Sequence, residues 1–266
     1  MHASSQHAST LAGRLPRDIG LPEKFSAWRE TQAEAVDGIL NQLRVRKAVL
    51  VDAPTGSGKT IIAAAVAKLL ETRAVYTCST KSLQDQVADD FPYARVVKGR
   101  RNYPCGLFPK LFPHISAEHC TRPSNCTATC AYMVSREEAL RSELAVLNIA
   151  YLLSEANYVG RFSKIPLLIA DEIDSCEDQL LSYSSLVLTE RQLRRVGLDP
   201  PGKRTAFGAW REWAEGALAA TVRSEEQTAE DISHTGTWTP DDLEKIVLQR
   251  DLQRMESKLR FFVDNV

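Results

Sequence analysis

The segment 53–60 combines the residue types that bind a nucleoside triphosphate. It reads Ala-Pro-Thr-Gly-Ser-Gly-Lys-Thr, with Ala53 at the position that is usually the first glycine of a P-loop. Gly56 and Gly58 allow a tight turn whose backbone N–H groups can point at phosphate oxygens. Lys59 would reach the β- and γ-phosphates of ATP, and the Thr60 hydroxyl would ligate Mg²⁺. The ATP-binding residues predicted from this loop are Thr55, Gly56, Ser57, Gly58, Lys59 and Thr60.

A second chemical signal is the acidic pair Asp171-Glu172, which directly follows the apolar run 167–170. A carboxylate at the end of a strand can hold Mg²⁺ through water, and the next carboxylate can orient the attacking water. We therefore expect Asp171 to join Thr60 as a magnesium residue. Glu172 is predicted to join Lys59 as a catalytic residue. The acidic pair is a specific signal because it lies downstream of a P-loop in the same chain.

Four of the six cysteines lie between residues 105 and 130, in a chain without an apolar export signal. In a reducing compartment such a cluster predicts a metal site rather than disulfides. Cysteine thiolates bind zinc and iron–sulfur clusters alike. The spacing lacks the two C-x-x-C pairs of common zinc ribbons, whereas His114 and His119 inside the segment keep zinc open. The predicted metal ligands are Cys105, Cys120, Cys126 and Cys130, and Cys78 and Cys176 are expected to be ordinary core residues.

The same insert is basic and aromatic, although the whole chain has 33 Lys+Arg against 34 Asp+Glu. Glu118 is its one acid, and four aromatic residues lie among its basic residues. Basic residues neutralise phosphates and aromatic rings stack on bases, so this composition suits single-stranded nucleic acid. The alternative is a loop stapled by metal, with a solvated basic surface. The residues concerned are Arg95, Lys98, Arg100, Arg101, Lys110 and Arg122, with Tyr103, Phe108, Phe112 and Tyr132.

The elements that must position these residues follow from apolar spacing and capping signals. Strands alternate with helices up to about residue 178, and this pattern predicts an α/β fold whose parallel sheet carries helices on both faces. The predicted strands are 47–51, 74–77, 144–147 and 167–170. The predicted helices are 31–43, 58–70, 83–91, one opened by the capping box at Ser135, 189–196, 207–222 and one that begins at Thr239.

These patterns divide the chain into four parts. We expect a flexible tail over 1–18, an ATP-binding lobe over 19–97 and 134–185, a metal insert over 98–133 and a helical region over 186–266. The longest apolar stretch, 61–67, is too short to span a bilayer, so no membrane contact is predicted. Hydrophobic residues at 44% and charged residues at 25% are typical of a soluble globular protein. We expect an intracellular monomer, cytoplasmic or associated with the nucleoid.

Taken together, the motifs resemble those of the iron–sulfur superfamily 2 DNA helicases of the XPD/DinG type. Trp28-Arg-Glu-Thr-Gln32 resembles the segment that reads adenine, with Gln32 on the base and Arg29 beside it. Residues 53–60 match motif I, and 77–82 resemble motif Ia, in which a threonine such as Thr80 touches the DNA backbone. Residues 98–105 resemble the lead-in to the first cluster cysteine, and 147–153 resemble the segment before motif II.

The resemblance implies a RecA-like first lobe, a [4Fe–4S] cluster on the four clustered cysteines, and an arch formed by the helical region. It also implies ATP hydrolysis with Mg²⁺ that drives 5′→3′ movement on single-stranded or forked DNA. The DNA-binding residues expected on this basis are Thr80, Lys98, Arg100 and Arg101.

Two features depart from the family pattern. Motif II usually reads Asp-Glu-Ala-His, and Asp174 replaces the histidine that helps couple hydrolysis to DNA. The second RecA-like lobe does not follow Val266, so we expect an N-terminal portion that binds ATP and turns it over weakly. The alternatives are a short regulatory protein that binds nucleotide and metal without helicase activity, and a zinc-stapled P-loop ATPase.

Overall fold

The structure, a computed structural model, describes residue 11 and residues 13–106, 115–120, 129–158, 160–202, 205–232 and 239–265. The chain forms two compact units. Unit 1 comprises Met1–Lys98 and Ser135–Cys176, and unit 2 comprises Gly99–Val134 and Glu177–Val266. None of the helices in the described ranges is long and apolar enough to cross a membrane.

Unit 1 contains a four-stranded sheet in which the strands β1 (Ala74–Cys78), β2 (Ala94–Val96), β3 (Leu144–Asn148) and β4 (Leu167–Ala170) are parallel and run in the order β2-β3-β1-β4. β1 and β3 are almost wholly buried, as expected for central strands covered by helices. Tyr76 of β1 pairs with Val146 on one side and with Ile169 on the other. This register places the residue after β4 beside the end of β1.

The helices of unit 1 are α1 (Gln32–Leu43), α2 (Lys59–Leu69), α3 (Lys81–Asp90), α4 (Ala131–Arg141, shared with unit 2) and α5 (Ile149–Tyr158). Apolar side chains of α1 and α2 form one core with the strands, including Val36, Ile62 and Val146. This architecture confirms a mixed α/β fold with a parallel sheet, and it is consistent with a RecA-like lobe. The placement of helices on both faces stays a prediction.

Two local expectations were wrong. The run Lys47–Val51 forms no strand, and Leu50 is 82% exposed. A short apolar run becomes a strand only when another backbone pairs with it, and β4 has no second partner among the described residues. α4 begins at Ala131, four residues before the predicted cap at Ser135.

Of the predicted tail over 1–18, residues 1–10 and 12 lie outside the described residues, and the remainder includes buried residues. Leu11 is buried in the core of unit 1, and Pro16–Ile19 forms a 3₁₀ helix with two buried residues. The Trp28 indole N–H donates a hydrogen bond to the Arg14 carbonyl oxygen at 2.8 Å. Apolar contacts thus fix a segment whose Ser- and Ala-rich surroundings indicated a tail.

Unit 2 is built on a hairpin of two long helices, α8 (Phe207–Asp231) and α9 (Pro240–Asn265), preceded by the shorter α6 (Cys176–Ser184, which begins in unit 1) and α7 (Glu190–Arg195). Ala214 and Ala217 of α8 pack against Met255 and Leu259 of α9. Small residues on one helix and large ones on the other allow the two helices to approach closely. α8 extends nine residues beyond the predicted end at Val222. The capping box predicted at Thr189 and the cap predicted at Thr239 are both present.

The cysteine insert packs on this hairpin. Ile115 is buried with Ile232, Leu243 and Ile246, and Cys105 packs against the same cluster. Glu118 forms an ion pair with Arg254 of α9. The insert and the helical region, predicted as separate domains, therefore share one apolar core in unit 2.

Candidate active site

The P-loop adopts a compact turn between the segment 47–53 and α2. Gly56 and Gly58 have φ values of +82° and +84°, in the left-handed region that favours glycine. α2 begins at Lys59, so its free N–H groups point into the loop. The Lys59 ammonium donates a hydrogen bond to the Ala53 carbonyl oxygen at 3.1 Å. A phosphate oxygen could replace that carbonyl as the acceptor.

Gln32 and Arg29 brace the loop from one side. The Gln32 amide donates to the Ser57 carbonyl oxygen at 2.8 Å, and its own oxygen accepts the Arg29 backbone N–H at 2.9 Å. The Arg29 guanidinium donates to the Gly56 carbonyl oxygen at 2.8 Å. Since the C=O and the following N–H of a trans peptide point in opposite directions, the Gly58 N–H faces away from Gln32. The two residues predicted to contact adenine thus contact the phosphate loop here.

Gly58 is required by this arrangement for two reasons. Its φ is strained for any residue with a side chain, and a Cβ there would lie 2.4 Å from the Gln32 amide nitrogen. Gln32 is buried, and both ends of its amide are bonded, so it has little room to move. The close approach of the P-loop to helix α1 therefore leaves no room for a side chain at position 58.

Asp171 and Thr60 are connected through Tyr76. The Tyr76 hydroxyl donates a 2.7 Å hydrogen bond to Asp171 Oδ2 and lies 3.4 Å from Thr60 Oγ1. Burial raises the pKa of the Tyr76 phenol well above its ordinary value; the hydrogen bond with Thr60 lowers this pKa, and the Asp171 carboxylate raises it. The phenol is thus a neutral donor, and the structure brings together the two residues predicted to bind magnesium.

Glu172 lies next to this group in a strained conformation. Its φ is +51°, uncommon for a residue other than glycine, and its carboxylate accepts a 2.6 Å hydrogen bond from the Ser79 hydroxyl. Backbone strain of this kind occurs where the surrounding structure fixes a functional residue. Ser79 directly follows β1, so the ends of β1 and β4 together position the predicted catalytic glutamate.

The four residues predicted to bind DNA have different surroundings. The Thr80 side chain caps α3, accepting the Leu83 backbone N–H at 3.3 Å. Lys98 forms an ion pair with Asp85 at 2.6 Å. Arg100 turns inward in unit 2, donating to the Cys120 carbonyl oxygen at 3.3 Å with its guanidinium 5.5 Å from the Tyr132 ring centroid. Arg101 is exposed.

Contacts within unit 2 hold the cysteine-bearing segments. The Cys105 backbone N–H donates to the Ile115 carbonyl oxygen at 2.9 Å, and Arg100 contacts Cys120 as described. Cys105, Cys120 and Cys130 are free thiols. Within the described ranges, no three Cys, His, Asp or Glu side chains form a group that could hold a metal ion. Cys126 lies outside those ranges, so the predicted four-ligand set does not appear in the structure as a formed site.

Sequence reasoning missed three residues. Tyr76 and Ser79 lie in and after a strand that it read only for its apolar pattern. Arg250 of α9 lies near Arg100 and Cys120, and burial together with the charge of Arg100 lowers the pKa of its guanidinium to about 10. Tyr76 could have been found from sequence, because a polar aromatic residue in the middle of a predicted buried strand needs a hydrogen-bond partner. Nothing in the sequence around Arg250 indicated that it lies near Arg100 and Cys120.

The family comparison agrees with this geometry. The model of the family described as type III restriction enzyme, res subunit, matches residues 25–190. The chain belongs to this family. Its domain is helicase-like and of superfamily 2, which is a class of ATP-dependent enzymes that bind nucleic acids. Among curated proteins, none matches the chain.

Proposed function

We propose that unit 1 binds ATP with Mg²⁺ and hydrolyses it, with Lys59 and Thr60 on the phosphates and metal, Asp171 at the metal and Glu172 as the base that orients water. The observation that carries the proposal is the junction of two motifs. The P-loop helix supplies Thr60, the end of β4 supplies Asp171, and the Tyr76 hydroxyl contacts both. Bound Mg²⁺ would neutralise charge that develops on the phosphates.

Two substitutions separate binding from turnover. Lys59→Ala should weaken the binding of a fluorescent ADP analogue by roughly 10- to 100-fold, since it removes a charge-assisted hydrogen bond to phosphate. Glu172→Gln should leave this affinity unchanged and slow hydrolysis by roughly 10²- to 10⁴-fold. Lys47→Ala, at an exposed lysine of the preceding segment, is the matched control. Equal binding by the Lys59 and Lys47 variants would contradict the proposal.

We further propose that this ATPase serves a DNA helicase of the XPD/DinG type that moves 5′→3′ on single-stranded or forked DNA. Its support is the order of motifs from Gln32 to Glu172 and the basic composition of the insert. Thr80 and Arg101 are exposed and able to meet a phosphate backbone. Single-stranded DNA should then raise the ATPase rate, and a duplex with a 5′ tail should be opened in preference to one with a 3′ tail. The opposite preference would overturn the polarity.

A finer part of the proposal is an iron–sulfur cluster on Cys105, Cys120, Cys126 and Cys130. The support is the cysteine spacing and the resemblance of the lead-in segment, together with contacts that tie the segments of Cys105 and Cys120 into unit 2. Anaerobic purification followed by metal analysis tests it. About four irons per chain with broad visible absorption would support the cluster. One zinc in a colourless protein would favour the zinc-stapled ATPase instead.

A further inference from the structure

We propose that Tyr76 is a positioning residue of the ATPase site: its hydroxyl holds Asp171 and Thr60 in the arrangement that Mg²⁺ requires. This inference rests on the proposed function, because it gives Tyr76 a role within the same ATP and Mg²⁺ site. Neither the family match nor the sequence motifs assign a role to this residue.

The backbone fixes both ends of the contact. Tyr76 is a central residue of β1 and pairs with Ile169 of β4, two residues before Asp171. The Asp171 backbone N–H donates to the Thr77 carbonyl oxygen at 3.0 Å, which continues the ladder beyond the last residue of β4. The Tyr76 side chain is 1% exposed, so its hydroxyl must find its partner inside the protein. Asp171 Oδ2 at 2.7 Å is that partner.

One hydroxyl can serve both predicted ligands. Tyr76 has a single proton, which the short bond commits to Asp171, and its oxygen keeps lone pairs that can face Thr60 Oγ1 at 3.4 Å. When the Thr60 oxygen directs a lone pair at a cation, its own proton needs an acceptor, and the Tyr76 oxygen is placed to provide it.

The test measures magnesium dependence rather than turnover. The binding of a fluorescent ADP analogue is titrated with MgCl₂, and the half-saturating Mg²⁺ concentration is compared between the wild type and Tyr76→Phe. We expect this concentration to rise roughly tenfold, as for the loss of one hydrogen bond to a charged group. The affinity measured in EDTA should stay within about twofold of the wild type, because the phosphate contacts of the P-loop remain.

Tyr93→Phe is the matched control. Tyr93 is another tyrosine of unit 1, and its ring contacts Lys68 and Phe91 rather than either predicted ligand. If the two phenylalanine variants show the same magnesium dependence, the inference is overturned. If Tyr76→Phe does not fold, 4-aminophenylalanine and 4-methylphenylalanine at position 76 make an equal-sized pair that differs in the donor. The amino variant should then need less Mg²⁺ than the methyl variant, and equal requirements would overturn the inference.

Failure of the inference and failure of the proposed function are distinguishable. A wild-type protein that binds no nucleotide with or without Mg²⁺ contradicts the proposed function itself. A wild type that binds in a Mg²⁺-dependent way, with Tyr76→Phe unchanged, contradicts only the role of Tyr76.

Discussion

The two units hold their chemical residues in different ways. In unit 1 the candidate residues follow strand ends or open a helix, so backbone hydrogen bonds fix where each side chain starts. In unit 2, Cys120 follows a short 3₁₀ turn and Cys105 packs against the apolar cluster of the hairpin, while Cys130 directly precedes α4. The polar groups of unit 1 already meet, whereas the described thiols of unit 2 form no ligand set.

This difference teaches that regular secondary structure can arrange a site before its ligand arrives. Asp171, Tyr76 and Thr60 are brought together by the register of β1 with β4 and by the start of α2. An irregular segment without such a register can be gathered by its ligand instead, and metal binding supplies enough free energy for this in small metal-binding domains. The comparison predicts that substitutions in the two units will have separable effects.

The largest expected difference concerns thiol reactivity. Burial, together with the charges of the Asp171 and Glu172 carboxylates, raises the pKa of the Cys78 thiol to about 12. Because the thiolate reacts and the raised pKa favours the neutral thiol, alkylation of Cys78 at pH 8 should be roughly a thousandfold slower than that of an ordinary thiol. Cys176 is also buried with a raised pKa, whereas Cys105, Cys120 and Cys130 are half-buried.

Mass spectrometry of metal-free protein after timed alkylation measures this contrast. Denatured protein, in which every cysteine should react at a similar rate, is the control. Labelling of Cys78 as fast as Cys120 in the native protein would show that the sheet of unit 1 opens far more readily than its buried packing indicates.

The second largest effect is a loss of stability expected from a substitution in the hairpin of unit 2. Leu259→Ala removes a fully buried side chain that packs on Ala214 and Ala217, and should lower the free energy of unfolding by roughly 2–5 kcal/mol. Nucleotide affinity should not change, because every predicted ATP-binding residue belongs to unit 1. Denaturant unfolding and ADP binding measure the two quantities.

The neighbouring Arg260→Ala is the control for this substitution. Arg260 is exposed and pairs with Glu256 one turn away, so its loss should leave the free energy of unfolding almost unchanged. If Leu259→Ala also abolishes nucleotide binding, the two units do not act separately.

A smaller effect is expected at the P-loop. Gly58→Ala forces a Cβ into the left-handed region and against Gln32, and should cost roughly 1–3 kcal/mol of stability as well as nucleotide affinity. Gly38→Ala is the matched control, because Gly38 lies inside α1 with open space at its Cβ. That variant should gain roughly 0.5–1 kcal/mol through helix propensity. A neutral Gly58→Ala would show that Gln32 does not brace the loop.

The smallest change in stability is expected at the ion pair between the insert and α9. Arg254 pairs with Glu118, but its side chain is 51% exposed, so Arg254→Ala should change stability by only about 0.2–1 kcal/mol. The change should shrink further in high salt. Ile115→Ala, in the apolar contact between the same two segments, should cost more. A larger loss from Arg254→Ala would mean that charge, and not apolar packing, attaches the insert.

The sequence predicted the motifs of unit 1 well, because each has a local physical cause. The P-loop needs glycines at two fixed positions, and the strands β1, β3 and β4 appear as short apolar runs within a residue of their predicted bounds. The segment 47–51 looked the same, but a strand also needs a neighbour, and pairing cannot be read from one segment.

Side-chain partners and long-range packing were not predictable in this way. Gln32 was assigned to adenine by resemblance, yet its amide contacts the Ser57 carbonyl, 25 residues away in sequence. The union of the insert with α9 depends on Ile115 meeting Leu243 and Ile246, and nothing in either segment alone specifies the other. Local pattern identifies which residues are apolar, but the topology decides what they touch.

The order of the strands also has a consequence for how unit 1 is made. β1 pairs with β3 in register, from Ala74 with Leu144 to Cys78 with Asn148, across a separation of roughly 70 residues that includes the insert. The closure entropy of so long a loop must be overcome before the central pair forms, so the sheet should assemble slowly. During synthesis, β1 cannot pair with β3 until the ribosome has added residue 148 to the chain. Any contact that draws the insert together shortens this loop in effect, and would speed the folding of the nucleotide site.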